Sequence, residues 1–421
     1  MATVDKTRSL DLCICCEICS AFCPVEAISM ECVRGLFLPK VDYTKCTLCG
    51  LCLKLCPGID VDPRNLRSQP FASDIFCGSV LDSFVSYSND HRILQNSTSG
   101  GLITHLMVEL INNKEFDLAF ILDFDKFDGE PARLKGTNDV NQILKAAKSK
   151  YVPVSLYDVV RVITNDPGKY IIVGTACQFQ GIKKILREKE MSEENLLFLG
   201  LFCDGTLNFN LMRYFENVYR KRTEELVKFD FRNKEKRGWP GDLKLYFSSG
   251  RELVLDRGKR IRLKRFFRLN RCLFCLDKLN VFADIAVGDC YIKDKTSTEG
   301  RSNIITRTKK GEAILERYCH LFSLERINVR KIRESQGLAN KKAVLENVKI
   351  LVKANDVYEN VDLSYDIDKW AARKLLLSQR FIKWGQNNNT ARIKITLLAA
   401  KLAFIFRVVT RLFKHLNRKQ R

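Results

Sequence analysis

Histidine is scarce in this sequence, four residues in 421. None stands in a C-x-x-C or H-E-x-x-H context, which removes the usual ligand sets of hydrolytic zinc enzymes. Long apolar runs are missing as well. The longest, ITLLAAKLAFIF from Ile395 to Phe406, is interrupted by Lys401 and falls short of the roughly 18 residues of a membrane-spanning helix. The opening MATVDKTRSLDL has no apolar stretch of the kind that directs secretion. The 17 cysteines are therefore expected as reduced thiols in a cytoplasmic chain, since disulfide frameworks belong to much shorter secreted sequences. Acids are absent from Lys369 to Arg421, a stretch with 14 Lys and Arg. Lys228 to Arg271 is the other basic stretch, with 15 Lys and Arg against 5 Asp and Glu. Those two segments, at +14 and +10, slightly exceed the net charge of +22, so the rest of the chain is close to neutral.

What the chain has in excess is cysteine at its start. Cys13, Cys16, Cys19 and Cys23-Pro24 fit the C-x-x-C-x-x-C-x-x-x-C-P run that holds cubane iron–sulfur clusters. The run repeats as Cys46, Cys49, Cys52 and Cys56-Pro57, with Leu48 where the first copy has Cys15. Three thiolates on one tight loop can hold three irons of a cube, and the fourth iron takes the last cysteine of the other run. That assigns Cys13, Cys16, Cys19 and Cys56 to one [4Fe-4S] cluster and Cys46, Cys49, Cys52 and Cys23 to a second. Cys15 is then a packed thiol. Zinc is the competing ligand for paired C-x-x-C, but it gives no reason for a doubled triplet followed by Cys-Pro.

The expected fold class is α+β in three parts. Residues 1–66 form a ferredoxin-type module, ending in a Pro-rich linker with Pro63 and Pro70. Residues 75–341 alternate strands and helices as an α/β domain: a helix from Gly100, then the strands FDLAFIL, YIIVG and LLFLGLF. LKLYFSSGRELVL reads as a hairpin turning at Ser249-Gly250. Residues 342–421 read as a basic helical segment. Its end places Leu398, Leu402, Ile405, Val409, Leu412 and Phe413 on one face and Lys394, Lys401, Arg407, Arg411 and Lys414 on the other. Such a helix suits either a membrane surface or packing on protein.

Outside the module, Cys177 and Cys203 each follow an expected strand, and Cys272 and Cys275 form a C-x-x-C. Strand ends of an open α/β sheet converge on one crevice, so these four thiols could bind a third cluster; the alternative is two buried thiols and a separate C-x-x-C. NSTSGG, Asn96 to Gly101, opens a helix with free backbone N–H groups suited to a phosphate, or Ser99 simply caps that helix.

The stretches STSGGLITHL, VGTACQFQGIKKIL, GLFCDG, RNKEKRGW, RCLFCLDKLNVFADIAVGDCY and NIITRTKKGEAIL resemble the family of coenzyme F420 hydrogenase/dehydrogenase beta subunits over about residues 75–340. The resemblance implies FAD in the α/β domain, a cubane cluster beside it and two-electron exchange with a deazaflavin or a substrate. It matches Ser97, Ser99, Gly100 and Gly101 to the flavin-binding loop, and Cys177, Cys203, Cys272 and Cys275 to a third [4Fe-4S] cluster. Asp289, with Asp284, stands where a carboxylate could orient the flavin or the cluster loop, or where turn and strand-end chemistry uses one.

The reading is an iron–sulfur flavoprotein oxidoreductase passing electrons between ferredoxin or coenzyme F420 and a substrate; the alternative is an electron-transfer subunit with catalysis on another chain. The basic stretch 228–271 suits an acidic redox partner such as ferredoxin or flavodoxin. No nucleic-acid-binding signature is present. The tail allows a peripheral location on the inner face of a membrane.

Overall fold

The computed structural model describes residues 3–59, 76–341, 344, 347–348 and 369–400. The expected boundaries between 66 and 75 and at 342 lie outside these residues, as do the tail positions from Lys401 onward.

Helix α1 (Asp5–Ser9) leads into the first of two copies of one loop. In Cys13–Cys19, φ is positive at Cys15 (60°) and Glu17 (58°); in Cys46–Cys52 it is positive at Leu48 (56°) and Gly50 (74°). These left-handed positions, rare for residues with a Cβ, recur at matching places 33 residues apart. Each loop runs into one helical turn, α2 (Ile18–Ala21) after the first and α3 (Leu51–Lys54) after the second. The antiparallel pair β1 (Ile28–Val33) and β2 (Leu36–Val41) lies between them. Cys15 is 3% exposed and packed in the core, as a small hydrophobe should be.

The rest is built on an eight-stranded mixed sheet. Its strands are β3 (Asp82–Ser88), β4 (Leu118–Ile121), β6 (Lys135–Thr137), β8 (Tyr170–Gly174), β9 (Leu196–Leu201), β13 (Ile285–Asp289), β14 (Ser302–Thr306) and β15 (Phe322–Arg326), in the order β15-β3-β14-β13-β9-β8-β4-β6. The central β13, β9, β8 and β4 run parallel. β4, β8 and β9 are the apolar runs that the sequence marks as strands, β13 joins them unmarked, and the middles of β8 and β9 are buried on both faces, as parallel strands covered by helices must be. Helices α4 (His91–Asn96), α5 (Leu102–Asn112), α6 (Val140–Lys145), α7 (Tyr157–Asn165) and α8 (Ala176–Glu188) cover it, with the two-residue pair β5 (Ala132–Arg133) and β7 (Val154–Ser155) at one side.

A smaller sheet, β10 (Leu226–Asn233), β11 (Asp242–Phe247) and β12 (Glu252–Leu255), follows α9 (Asn210–Tyr219). The hairpin turns at Gly250, whose φ is +82°. Helix α10 (Arg257–Phe267) buries Leu263, Phe266 and Phe267. Phe266 meets Phe381 of the helix Lys369–Gln386 at 5.3 Å between ring centroids. Helices α11 (Lys309–Arg317) and α12 (Val329–Ser335) complete the body. Among the described residues no helix is long and apolar enough to cross a membrane.

The cysteine-rich module is not a separate bead. Ile18 and Leu55 belong to the same apolar core as Phe179 and Phe198. Gly181 of α8 permits this approach, because a Cβ there would run into Ile18 and Pro57. Glu17, buried on the cluster loop, pairs with Arg133 at 2.9 Å and accepts from Ser155 at 2.8 Å.

Candidate functional site: three sets of thiols and one cavity

Cys13, Cys16, Cys19 and Cys56 line one small void, with Ile14, Ile18 and Met30 between them. This is the set that crossing of the fourth cysteine predicts. Burial, followed by the charges of Cys56, Cys13 and Cys177, pushes the Cys16 thiol up. Thr7 donates to Cys56 Sγ at 3.4 Å, and the Cys15 amide donates to Cys13 Sγ at 3.3 Å. That last bond follows from the left-handed turn at Cys15, which aims a backbone N–H inward.

Cys46, Cys49 and Cys52 lie on the outer loop, with Cys49 exposed. Burial raises the Cys52 thiol first, then Cys49 and Cys46 add to it. Cys23 is tied to this loop through backbone: the Ala27 N–H donates to Cys23 Sγ, the Ala27 carbonyl accepts from Asp42 N, and the Asp42 carbonyl accepts from Cys46 N.

Cys177, Cys203, Cys272 and Cys275 converge as the strand-end argument expects. Cys177 is in the first turn of α8, just past β8; Cys203 follows β9; the C-x-x-C pair sits in and after the short turn Asn270–Phe274. All four line one cavity. Burial pushes Cys177 up to about 12, with Cys275 and Cys272 adding to it. Cys203 is raised by burial and then by Cys272, Cys177 and Cys275. Thr206 N–H points at Cys272 Sγ at 3.5 Å and Gly205 N–H at Cys203 Sγ at 3.3 Å. Burial likewise raises Cys272, so in the absence of a metal group Cys177, Cys203 and Cys272 are held in the neutral form. Among the described residues no three His, Cys, Asp or Glu stand as a group that could hold a metal ion.

The cavity measures about 640 Å³. Beside the thiols it is lined by Ser97, Thr98, Ser99 and Gly101, by the start of α5, by the loop 146–154, and by Arg232 and Asp289. The Ser97 hydroxyl is buried there without a protein partner, so a ligand or water in the cavity would satisfy it. Gly101 is the N-cap of α5, with φ +81° and no side chain to satisfy the first N–H groups. Ser99 therefore does not cap this helix; its hydroxyl donates to the Arg301 carbonyl at 2.5 Å. Gly100 does not line the cavity. It packs on Ser86 and Ser302, and its N–H donates to Ser302 Oγ at 3.0 Å.

Asp289 ends β13 at the cavity, where it accepts from Arg232 at 2.5 and 3.0 Å, from Trp239 Nε1 at 3.0 Å and from the Tyr291 hydroxyl at 3.2 Å. Burial would raise its carboxyl, but the Arg232 charge and these donors hold it below the usual range. Asp284 lies at the opposite end of β13, accepting from Phe198 N and Thr308 Oγ1; it is a strand-end residue remote from the site.

The sequence reading gave no role to Arg232, Lys150, Tyr151 or Arg271. Lys150 lines the cavity, donates to the Ala146 and Ala147 carbonyls, and is lowered by burial to about 8. Nothing in the pattern of AAKSKYVPV marks it as a wall of a site, because that wall is made by folding the loop back onto Thr98. The basic stretch 228–271 is not one solvated face: Arg232, Lys234, Lys244 and Arg271 are buried, while Lys228, Lys236, Arg237 and the outer side of α10 are exposed.

Two halves of one family match this chain: coenzyme F420 hydrogenase/dehydrogenase, beta subunit, N-term, at residues 83–161, and the C terminus of that same beta subunit at 168–331. One of the subunits of the F420H2 dehydrogenase of Methanosarcina mazei is 23% identical over 315 residues, 72% of this chain and 81% of that protein. The coenzyme F420 hydrogenase subunit beta of Methanococcus voltae is 26% identical over 273 residues, 63% of this chain and 90% of its own length. The coenzyme F420-dependent sulfite reductase of Methanocaldococcus jannaschii is 25% identical over 308 residues, and the match spans 46% of that protein. A chain of the F420-reducing [NiFe] hydrogenase complex from Methanosarcina barkeri aligns at a TM-score of 0.49 and 20% identity, covering 66% of this chain and 95% of that one.

Proposed function

Because the chain belongs to the family of coenzyme F420 hydrogenase/dehydrogenase beta subunits, we propose that it is an iron–sulfur electron-transfer subunit that links a deazaflavin coenzyme to a one-electron partner. The observation that carries this reading is the order of the thiols. Cys52 of the outer set acts electrostatically on Cys19 of the inner set. Cys16 of that set feels Cys177 of the third, and the third opens on the cavity. Three [4Fe-4S] clusters on these twelve cysteines would form an unbroken file from the exposed Cys49 to the cavity.

The residues of the cavity fit a flavin. The unpartnered Ser97 hydroxyl and the uncapped N–H groups at the start of α5 would hold its phosphates, with Lys150 on the facing wall. Bound there, FAD would supply exchange of electrons either singly or in pairs. The protein's own part is placement and tuning. Apolar residues of its lining such as Leu102, Met107 and Val173 would keep water off a bound flavin, Arg232 and Asp289 hold each other in the lining, and the N–H groups aimed at Cys13, Cys203 and Cys272 would stabilise negative charge on sulfur.

A subunit role is favoured over a self-contained reductase by the exposure of the outer set, which leaves one end of the file accessible to another protein. The relatives from Methanosarcina mazei and Methanococcus voltae are themselves named as subunits. The test is to mix the anaerobic protein with reduced coenzyme F420 and follow its visible cluster absorbance. Bleaching by the coenzyme supports the reading; bleaching by dithionite but not by the coenzyme overturns it.

A further inference from the structure

Helix α10 of the basic stretch turns a second, half-buried side toward the body. On α10, Arg260 and Lys264 stand one turn apart, and Arg268 follows at the residue that ends the helix. Together they cover about 12 Å at the helical rise of 1.5 Å per residue. The Arg260 guanidinium lies over the Tyr151 ring, 4.6 Å from its centroid, and Tyr151 lines the cavity. Arg268 lines it directly and packs on Gly205, beside Cys203.

None of the three has an acidic partner within ion-pair distance among the described residues. The Nε atoms of Arg260 and Arg268 are buried without an acceptor. Lys264 is lowered to about 8 by burial and then by the Arg268 charge, so two of these cations work against each other. The acid beside them, Asp204, pairs with Lys278 at 3.0 Å and offsets part of the Lys264 charge from outside ion-pair distance. Buried donors and adjacent cations without acceptors are costly, and an anion with oxygens spread along the row would relieve both costs. Arg forks match phosphate and carboxylate oxygens in pairs.

We infer that Arg260, Lys264 and Arg268 form an anion-binding site at the rim of the cavity, taking the phosphate or carboxylate groups of an oligoanionic small molecule. The inference rests on the proposed function only for what lies deeper in the cavity; there it adds that the coenzyme or substrate carries an anionic arm lying along α10.

The test is calorimetric titration of the anaerobically purified full chain with inorganic tripolyphosphate, and separately with citrate, at fixed ionic strength. The expected result is binding of one anion per chain, weakened at least about tenfold, or 1.4 kcal/mol, in K264Q/R268Q and unchanged in R262Q, an exposed cation on the other side of the helix. Tighter tripolyphosphate identifies a phosphate arm and tighter citrate a carboxylate arm. If the double variant does not fold, Arg268→Lys decides, because it keeps the charge and loses the fork; severalfold weaker binding is expected. Equal weakening in R262Q, no binding at all, or loss of bound flavin in R268K would each overturn the site. A chain that binds tripolyphosphate in this way but holds no clusters refutes the electron-transfer reading and leaves the anion site standing.

Discussion

Arg271 donates from Nε to the Gly58 carbonyl at 2.7 Å and from Nη2 to the Pro57 carbonyl at 3.2 Å. Its chain neighbour is Cys272, and the neighbour of Pro57 is Cys56. One buried guanidinium therefore ties the fourth cysteine of the inner set to the C-x-x-C of the third. Its charge also lowers the thiols of Cys177 and Cys272, whose net shift is nonetheless upward because burial dominates.

Replacing Arg271 by Met should loosen that tie. Charge-assisted hydrogen bonds of this kind contribute about 1.5–3 kcal/mol, so the denaturant midpoint should fall accordingly. The magnetic coupling between neighbouring reduced clusters in electron paramagnetic resonance should weaken as well. An unchanged coupling with an unchanged midpoint would deny Arg271 this role.

The five cysteines of the first run should separate cleanly. Cys15→Ala removes a packed thiol, at a cost of roughly 1 kcal/mol, and should keep every iron. Cys19→Ser should lose about four irons, those of one cubane. Iron analysis of the two variants side by side decides the matter.

Asp289→Asn should leave Arg232 buried without its counter-charge, which costs about 3–5 kcal/mol when a buried pair is broken from one side. A melting temperature close to that of the parent chain would show that Arg232 has another partner. Asp284→Asn, at the far end of the same strand, should leave the flavin content as it is.

His105, on the inner face of α5, bonds through Nδ1 to the Ser88 hydroxyl at 2.8 Å and meets the Phe322 ring at 5.4 Å. Burial lowers its pKa from 6.5. Below pH 6.5 the unfolded chain takes up a proton that the folded chain resists, so stability should fall as the pH drops through that window. His105→Gln should melt with a smaller difference between pH 7.5 and 5.5 than the parent chain does.

Much of the molecule was legible because it is written locally. Cysteine spacing predicts the set Cys13, Cys16, Cys19 and Cys56, since the register of a metal-holding loop is a property of a dozen residues. The strands around Phe120, Ile171 and Leu197 are apolar because both faces are covered, and the hairpin at Gly250 needs a residue that accepts positive φ. The wall carrying Lys150 and Tyr151 and the tie from Arg271 to Pro57 join residues far apart in the chain, and no spacing records them. Ser99 shows the opposite failure. A serine before a helix reads as a cap, but the Arg301 carbonyl competes for its hydroxyl, and the cap position passes to Gly101.

The central claim is that twelve cysteines hold three clusters in file beside a flavin. The most direct measurement is iron, acid-labile sulfide and released flavin per chain in anaerobically purified protein. Three cubanes predict about twelve irons, about twelve sulfides and one FAD. About eight irons with no flavin would contradict the account and leave a two-cluster electron carrier.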